Sequence, residues 1–413
     1  MAESIAVNGR TYRLPTRPTV VITIDGGAPE YIDDALRRRL MPRLHAMLEA
    51  GGAYQLGRAH MPTLTNPNNL SIVTGAPPSV HGIPGNHCLV DSTSSEPVQL
   101  VEPGFLRAPT IHAEMRAAGV PVLCVTAKDK LRRLLGAGDV PSVSAEKAAD
   151  LHLAELGIGR LVDLVGHAPP SIYEWDLSHY ALRIGLAAHQ AISGGLGLLY
   201  VSLTDFVQHK EAPGGPLADR FYSHFDQLLG QYLDAGFLVG ITADHGMHAK
   251  QQADGSPRVH YLEDVLHDAG VEDAQVVLPI TDPYVVHHGA LGSFAWVYLR
   301  HAFDRDRAAH ALARLDGVEE VYTRAEAAVI YEHPTDRIGD LSVGANASTA
   351  LGLAKSKHDL SLVATGLRSH GGRHEQVVPI IVSAPLSAEY ARRHQRGVQN
   401  SDLHDLLLNG VAD

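Results

Sequence analysis

The chain has 413 residues, 45% of them apolar, and a net charge of −12 at pH 7. That size exceeds what one core usually serves, so one large domain with an insertion, or two domains, is expected. The charge speaks against nucleic acid as a partner, because no basic field exists to neutralise phosphates. A small anion needs only local positive charge and is not excluded. No apolar run reaches the ~18 residues of a membrane helix, so no membrane partner is expected. Met1–Pro15 carries no basic segment ahead of an apolar core, so no signal peptide is read there. Two cysteines, Cys88 and Cys124, are too few for a disulfide framework and fit a reducing, cytoplasmic setting. Cys124 lies in an apolar run and reads as a buried small hydrophobe. Twenty-five histidines make metal sites worth seeking.

In chain order, Thr19–Ile24 (TVVITI) reads as a buried strand that delivers Asp25 at its carboxyl end. Residues 30–50 have helical spacing, with Leu36, Leu40, Leu44 and Leu48 on one face. Further buried strands are expected at 120–126, 197–203, 236–243 and 376–383. Helical patterns lie between them, at 177–192 and 217–235. Apolar strands alternating with helices predict an α/β fold with a mostly parallel sheet between helical layers. Residues 261–362 break this pattern. Alternating segments such as FAWVYL (294–299) and VEEVYT (318–323) predict antiparallel pairing, so 261–362 is read as an inserted α+β cap. The catalytic core is then 1–260 with 363–413.

Three apolar strands end in a carboxylate: Asp25 after TVVITI, Asp205 after LLYVSLT, Asp244 after FLVGITA. Ligands bind at the carboxyl ends of strands in open parallel sheets, so the three can converge on one site. A lone aspartate there is ordinarily a helix cap. These have histidine companions. Asp205 and His209 are four apart in DFVQH and share one face if that segment is helical. Asp244 and His245 are adjacent where a strand meets Gly246. His370 lies in SHGGRH among glycines that permit close approach, with His374 a competitor in the same loop. Carboxylates and imidazoles in this ratio suit zinc, or manganese or iron.

The stretch from Met61 to Asn86, MPTLTNPNNLSIVTGAPPSVHGIPGN, offers a nucleophile. Thr65 precedes the turn-rich Asn66-Pro67-Asn68, and Leu70–Thr74 reads as the start of a helix. A threonine at a helix entrance is ordinarily a cap, but its hydroxyl there sits where N–H groups favour an anion. Thr63 is the alternative. Asn86 is a candidate donor to a phosphoryl oxygen, or a turn residue after Gly85. Lys128 and Lys130, in AKDK after a strand, fall on one side of an extended backbone and could hold a small dianion. A basic helix start running through Arg132 and Arg133 is the competing reading. His287 and His288 are candidates for substrate contact from the cap.

Taken together, Asp25, the Thr65 segment through SIVTG and HGIPGN, DFVQH, ADHG and SHGG resemble the nucleotide pyrophosphatase/phosphodiesterase branch of the alkaline phosphatase superfamily. The resemblance implies an alkaline-phosphatase-like core and two zinc ions per chain. One would be held by Asp205, His209 and His370, the other by Asp25, Asp244 and His245, with Thr65 bound to that second ion as nucleophile. Asn86 would take the oxyanion role, and Lys128 and Lys130 would bind substrate. Within the branch, the resemblance implies cleavage of the carbon–phosphorus bond of phosphonoacetate to acetate and phosphate through a phosphothreonine. Phosphodiester or nucleotide pyrophosphate hydrolysis at the same site is the alternative. The expected partner is a small anionic phosphonate, and a homodimer is compatible with the resemblance.

Overall fold

The computed structural model describes residues 3–90, 96–280, 291–363 and 366–412. In chain order the main strands are β1 (Thr19–Thr23), β2 (Ala53–Arg58), β3 (Val122–Thr126), β4 (Ser142–Ser144), β5 (Leu198–Ser202), β6 (Leu238–Thr242), β7 (Gln275–Val277), β8 (Phe294–Tyr298), β9 (Val318–Thr323), β10 (Leu341–Ala345) and β11 (Val377–Val382). Seven of them form one sheet in the order β2-β11-β6-β1-β5-β3-β4. The run β6-β1-β5-β3-β4 is parallel. β11 pairs antiparallel with both β6 and β2, so the mostly parallel sheet has an antiparallel edge. Strands β1, β3, β5 and β6 are buried at every position, as continuous apolar runs covered on both faces must be.

The two faces carry separate cores. Val20, Ile22, Leu199 and Val201 pack under helices α1 (Pro29–Arg37), α2 (Pro42–Glu49), α5 (Leu177–Ala191) and α7 (Pro216–Asp234). Val21, Cys124, Leu198 and Tyr200 face the layer that holds α3 (Thr65–Thr74), α4 (Asp129–Leu135) and the helix Leu403–Leu408. Both cysteines are buried and free. The short helix Phe206–Lys210, α6, follows β5. Among the described residues no helix is long and apolar enough to cross a membrane.

β7 to β10 form a second, antiparallel sheet in the order β7-β8-β10-β9, with its own core around Val276, Ala295, Val297 and Leu341. Two expectations need correction. The helical pattern of 30–50 is two helices, broken where Arg39 takes a positive φ of 59° and Pro42 restricts the residue before it. Its leucine stripe still packs on the core. The helix near Thr65 begins at Thr65 itself rather than near Leu70. Pro67 sits in its first turn, where a backbone N–H has no acceptor within the helix, so the proline costs no hydrogen bond.

Candidate metal centre and adjoining cavity

Sheet register decides where the carboxylates go. Thr126, Ser202, Thr23 and Thr242 stand in one row across β3, β5, β1 and β6. The chain leaves every one of these strands at the same edge. Lys128, Asp205, Asp25 and Asp244 lie two or three residues further on and so reach one region. Gly26 lets the turn after β1 close tightly. Its φ is +66°, and a Cβ there would lie 3.2 Å from the Asp205 Cβ.

Two groups of buried side chains result, Asp205–His209–His370 and Asp25–Asp244–His245, each with potential ligand atoms within 4.8 Å of one another. The groups adjoin, because the His245 and His370 rings stack with centroids 3.5 Å apart. All three histidines are oriented alike. Nδ1 lies 2.8 Å from Arg368 O in His209, 2.9 Å from Gly246 O in His245 and 2.8 Å from Thr63 O in His370. A carbonyl only accepts, so each Nδ1 carries a proton and each Nε2 turns to the centre. Nε2 of His209 is 2.9 Å from Asp205 Oδ2, and Nε2 of His370 is 3.8 Å from it.

A cation fits this donor set. Both Asp25 carboxylate oxygens and Nε2 of His245 are buried without a hydrogen-bond partner, although Nε2 lies only 3.2 Å from Asp25 Oδ1. Buried polar atoms left so are costly unless something positive engages them. Burial, with Asp25 alongside, raises the Asp244 carboxyl well above the usual range. Burial would depress the His245 imidazole, yet the charges of Asp244 and Asp25 raise it to about 10. The field that favours a proton on His245 equally favours a divalent ion. Burial also opposes ionisation of Asp205, but Lys128 and His209 hold it well below the ordinary carboxylate range.

Beside the centre is a cavity of about 60 Å³ lined by Asp25, Thr65, Asn66, Asn86, Thr126, Lys128, Lys130, Leu131, Ser202 and Leu203. Thr65 opens α3, so it lies at a helix N-terminus of ten residues. Asn86 Oδ1 accepts from the Asn66 backbone N–H at 3.0 Å, which fixes its amide against that N-terminus. Lys128 donates to Asp205 Oδ1 at 2.9 Å. The two lysines do not share an extended strand, because α4 begins at Asp129 with Lys128 at its cap. The helix-start reading gives the conformation, and both side chains line the cavity even so.

A sequence model of the type I phosphodiesterase / nucleotide pyrophosphatase family matches residues 19–374. The chain belongs to that family. Phosphonoacetate hydrolase from Sinorhizobium meliloti 1021, solved in complex with phosphonoacetate and with phosphonoformate, is 42% identical over 100% of both chains, with a TM-score of 0.92. Murine ectonucleotide pyrophosphatase/phosphodiesterase 5 is 17% identical over 96% of both chains, with a TM-score of 0.61, and shares the fold. This member of the type I phosphodiesterase family is therefore a hydrolase with an alkaline-phosphatase-like fold and residues grouped to hold metal.

Two sequence candidates are otherwise engaged. His374 pairs with Glu319 at 2.8 Å, away from the centre. The Thr63 hydroxyl is committed to the His370 loop, donating to Gly372 O at 2.8 Å and accepting from Gly371 N at 3.0 Å. His287 and His288 lie outside the described residues. One contributor went unread in the sequence. Asn69 donates to Asp244 Oδ2 at 3.1 Å and to Thr65 O at 2.9 Å, while its own Oδ1 accepts from Tyr200 at 2.7 Å. The only available signal was its position four residues after Thr65, on the same helix face.

Proposed function

We propose that this hydrolase cleaves the carbon–phosphorus bond of phosphonoacetate to acetate and phosphate, with Thr65 as nucleophile and two zinc ions held by Asp205, His209, His370 and by Asp25, Asp244, His245. The observation that carries this reading is the cavity, which sets Thr65 and Asp25 beside two lysines and a helix N-terminus. Identity of 42% over the full length to a phosphonoacetate hydrolase supports the substrate. The metal pair, when bound, would acidify the threonine hydroxyl and offset charge on the phosphoryl oxygens.

Thr65 gives its hydroxyl proton to solvent, Oγ forms a bond to phosphorus, and the P–C bond breaks. Its electron pair passes to the methylene carbon and spreads into the carboxylate as an enediolate. Lys128 and Lys130 stabilise that charge as it develops, which lowers the barrier because the contact strengthens in the transition state. The carbanion takes a proton from water. A second water then displaces phosphate from phosphothreonine and restores the hydroxyl. Asn86, anchored through Oδ1, presents its amide nitrogen to a phosphoryl oxygen. Residues 261–362 act as a cap over this chemistry. Asn86 N donates to Pro279 O at 2.8 Å and Ser293 N to His370 O at 2.9 Å, so the segment touches both sides of the site. The two free, buried thiols suit the reducing cytoplasm, which we take as the compartment.

The rival reading, nucleotide pyrophosphate or phosphodiester hydrolysis, needs a slot for a base. None of the described residues lining the cavity is aromatic. Phosphate release from phosphonoacetate, measured beside phosphonopyruvate, phosphonoformate and a nitrophenyl phosphodiester, separates the two. Phosphonoacetate should be turned over fastest. Faster turnover of the diester would overturn the assignment.

A further inference from the structure

One buried side chain is bonded to both histidine-bearing loops. Glu375 accepts from Gly372 N at 2.9 Å through Oε2, within the loop that carries His370. Through Oε1 it accepts from Lys250 Nζ at 2.7 Å and lies 2.9 Å from His248 Nδ1, both in the segment that follows Asp244 and His245. Its carbonyl oxygen accepts from Gly246 N at 2.7 Å. Lys250 also reaches across to Ala347 O at 3.0 Å. The Lys250 and Glu375 side chains are each 0% exposed. The loops approach so closely that a Cβ on Gly246 would lie 3.4 Å from the Glu375 Cα. The short ribbon pairing His248 with Ser369 lies beside this clamp.

A buried ion pair is poor evidence for stability, since hydrophobic replacements often do as well. Its retention here has a geometric explanation. His370 belongs to one ligand group and His245 to the other, and nothing in sequence fixes their separation. We infer that Glu375, with Lys250 as its counter-charge, is a positioning residue that holds the two histidine loops in one geometry and thereby sets the metal affinity of both groups together. This rests on the metal sites proposed above.

The test is zinc binding to metal-free protein by competition with a chromophoric chelator. The variant Glu375→Ala with Lys250→Met removes the clamp without leaving an unpaired buried charge. Zinc affinity should fall roughly 10- to 100-fold at both sites, the usual effect of losing the groups that orient ligands. Glu375→Gln keeps an acceptor for Gly372 N and should recover part of that loss. Leu266→Ala, a destabilising change in the core of the second sheet, should leave zinc affinity within about twofold of the unaltered protein. A folded double variant with unchanged affinity overturns the inference, as does a loss at one site alone. If the double variant does not fold, Glu375→Gln decides, and unchanged binding of both ions overturns the inference. Failure of the unaltered protein to bind zinc would instead sink the proposed function, and this inference with it.

Discussion

The hydroxyls of Thr63 and Thr65 are two residues apart and have different employments. Thr63 is spent on the His370 loop, whereas Thr65 lines the cavity at a helix N-terminus. Thr65→Ala should therefore lower turnover by roughly 10³-fold or more, as removal of a nucleophile does, while zinc content by elemental analysis stays at the unaltered level. A metal-replete Thr65→Ala protein with substantial activity would exclude Thr65 as nucleophile. Lys128 bonds to Asp205 yet also lines the cavity. A charged hydrogen bond to a substrate carboxylate contributes about 1.5–3 kcal/mol. Lys128→Ala should thus cost turnover of phosphonoacetate about tenfold or more beyond its cost for an aryl phosphate monoester. Equal losses on both would assign the lysine to Asp205 alone.

At the scale of elements, the strand ends were legible because a fully buried parallel strand has one appearance, a short β-branched run stopping at a polar residue. TVVITI before Asp25 needs no tertiary information to be read. The helix breaks were less legible. Leu36, Leu40, Leu44 and Leu48 keep their spacing across the turn at Arg39, since two helices on one core preserve a stripe that the chain interrupts. The start of α3 was obscured by Pro67, which signals a breaker in a helix interior and is neutral in a first turn. β2 and β4 went unread because Tyr54, Gln55 and Leu56 sit partly exposed on an edge strand, and β4 has three residues. α3 also carries Asn69, which links the first turn of the helix to Asp244. Asn69→Ala should weaken zinc binding roughly 10- to 100-fold, with the loss falling on the Asp25–Asp244–His245 group. Chelator competition reads this directly, and an unchanged two-site isotherm would remove Asn69 from the site.

For the whole molecule, the ligand groups are assembled from positions 25, 205, 209, 244, 245 and 370, and what joins them is sheet register together with the loop between β10 and β11. The residue types were readable one by one. Their convergence was expected from strand-end placement, but the division into two groups came only through the family resemblance, because spacing along the chain carries no distance between strands. The choice of His370 over His374 and of Thr65 over Thr63 depended on which partner each side chain finds: Glu319 for His374, the glycine loop for Thr63. Three buried carboxylates, with both oxygens of Asp25 left unbonded, should make the metal-free protein less stable, since ions that bind only the folded form stabilise it by mass action, by about 2.7 kcal/mol at 100 times Kd. Thermal unfolding should accordingly move upward on zinc return and downward on chelation. The claim beneath all of this is that two cations serve one threonine hydroxyl. It is tested most directly by titrating zinc into chelated protein while following phosphate release from phosphonoacetate. The account predicts no release at zero zinc and a plateau at about two equivalents per chain, the number expected of a two-metal site. Undiminished release from the chelated protein would contradict it.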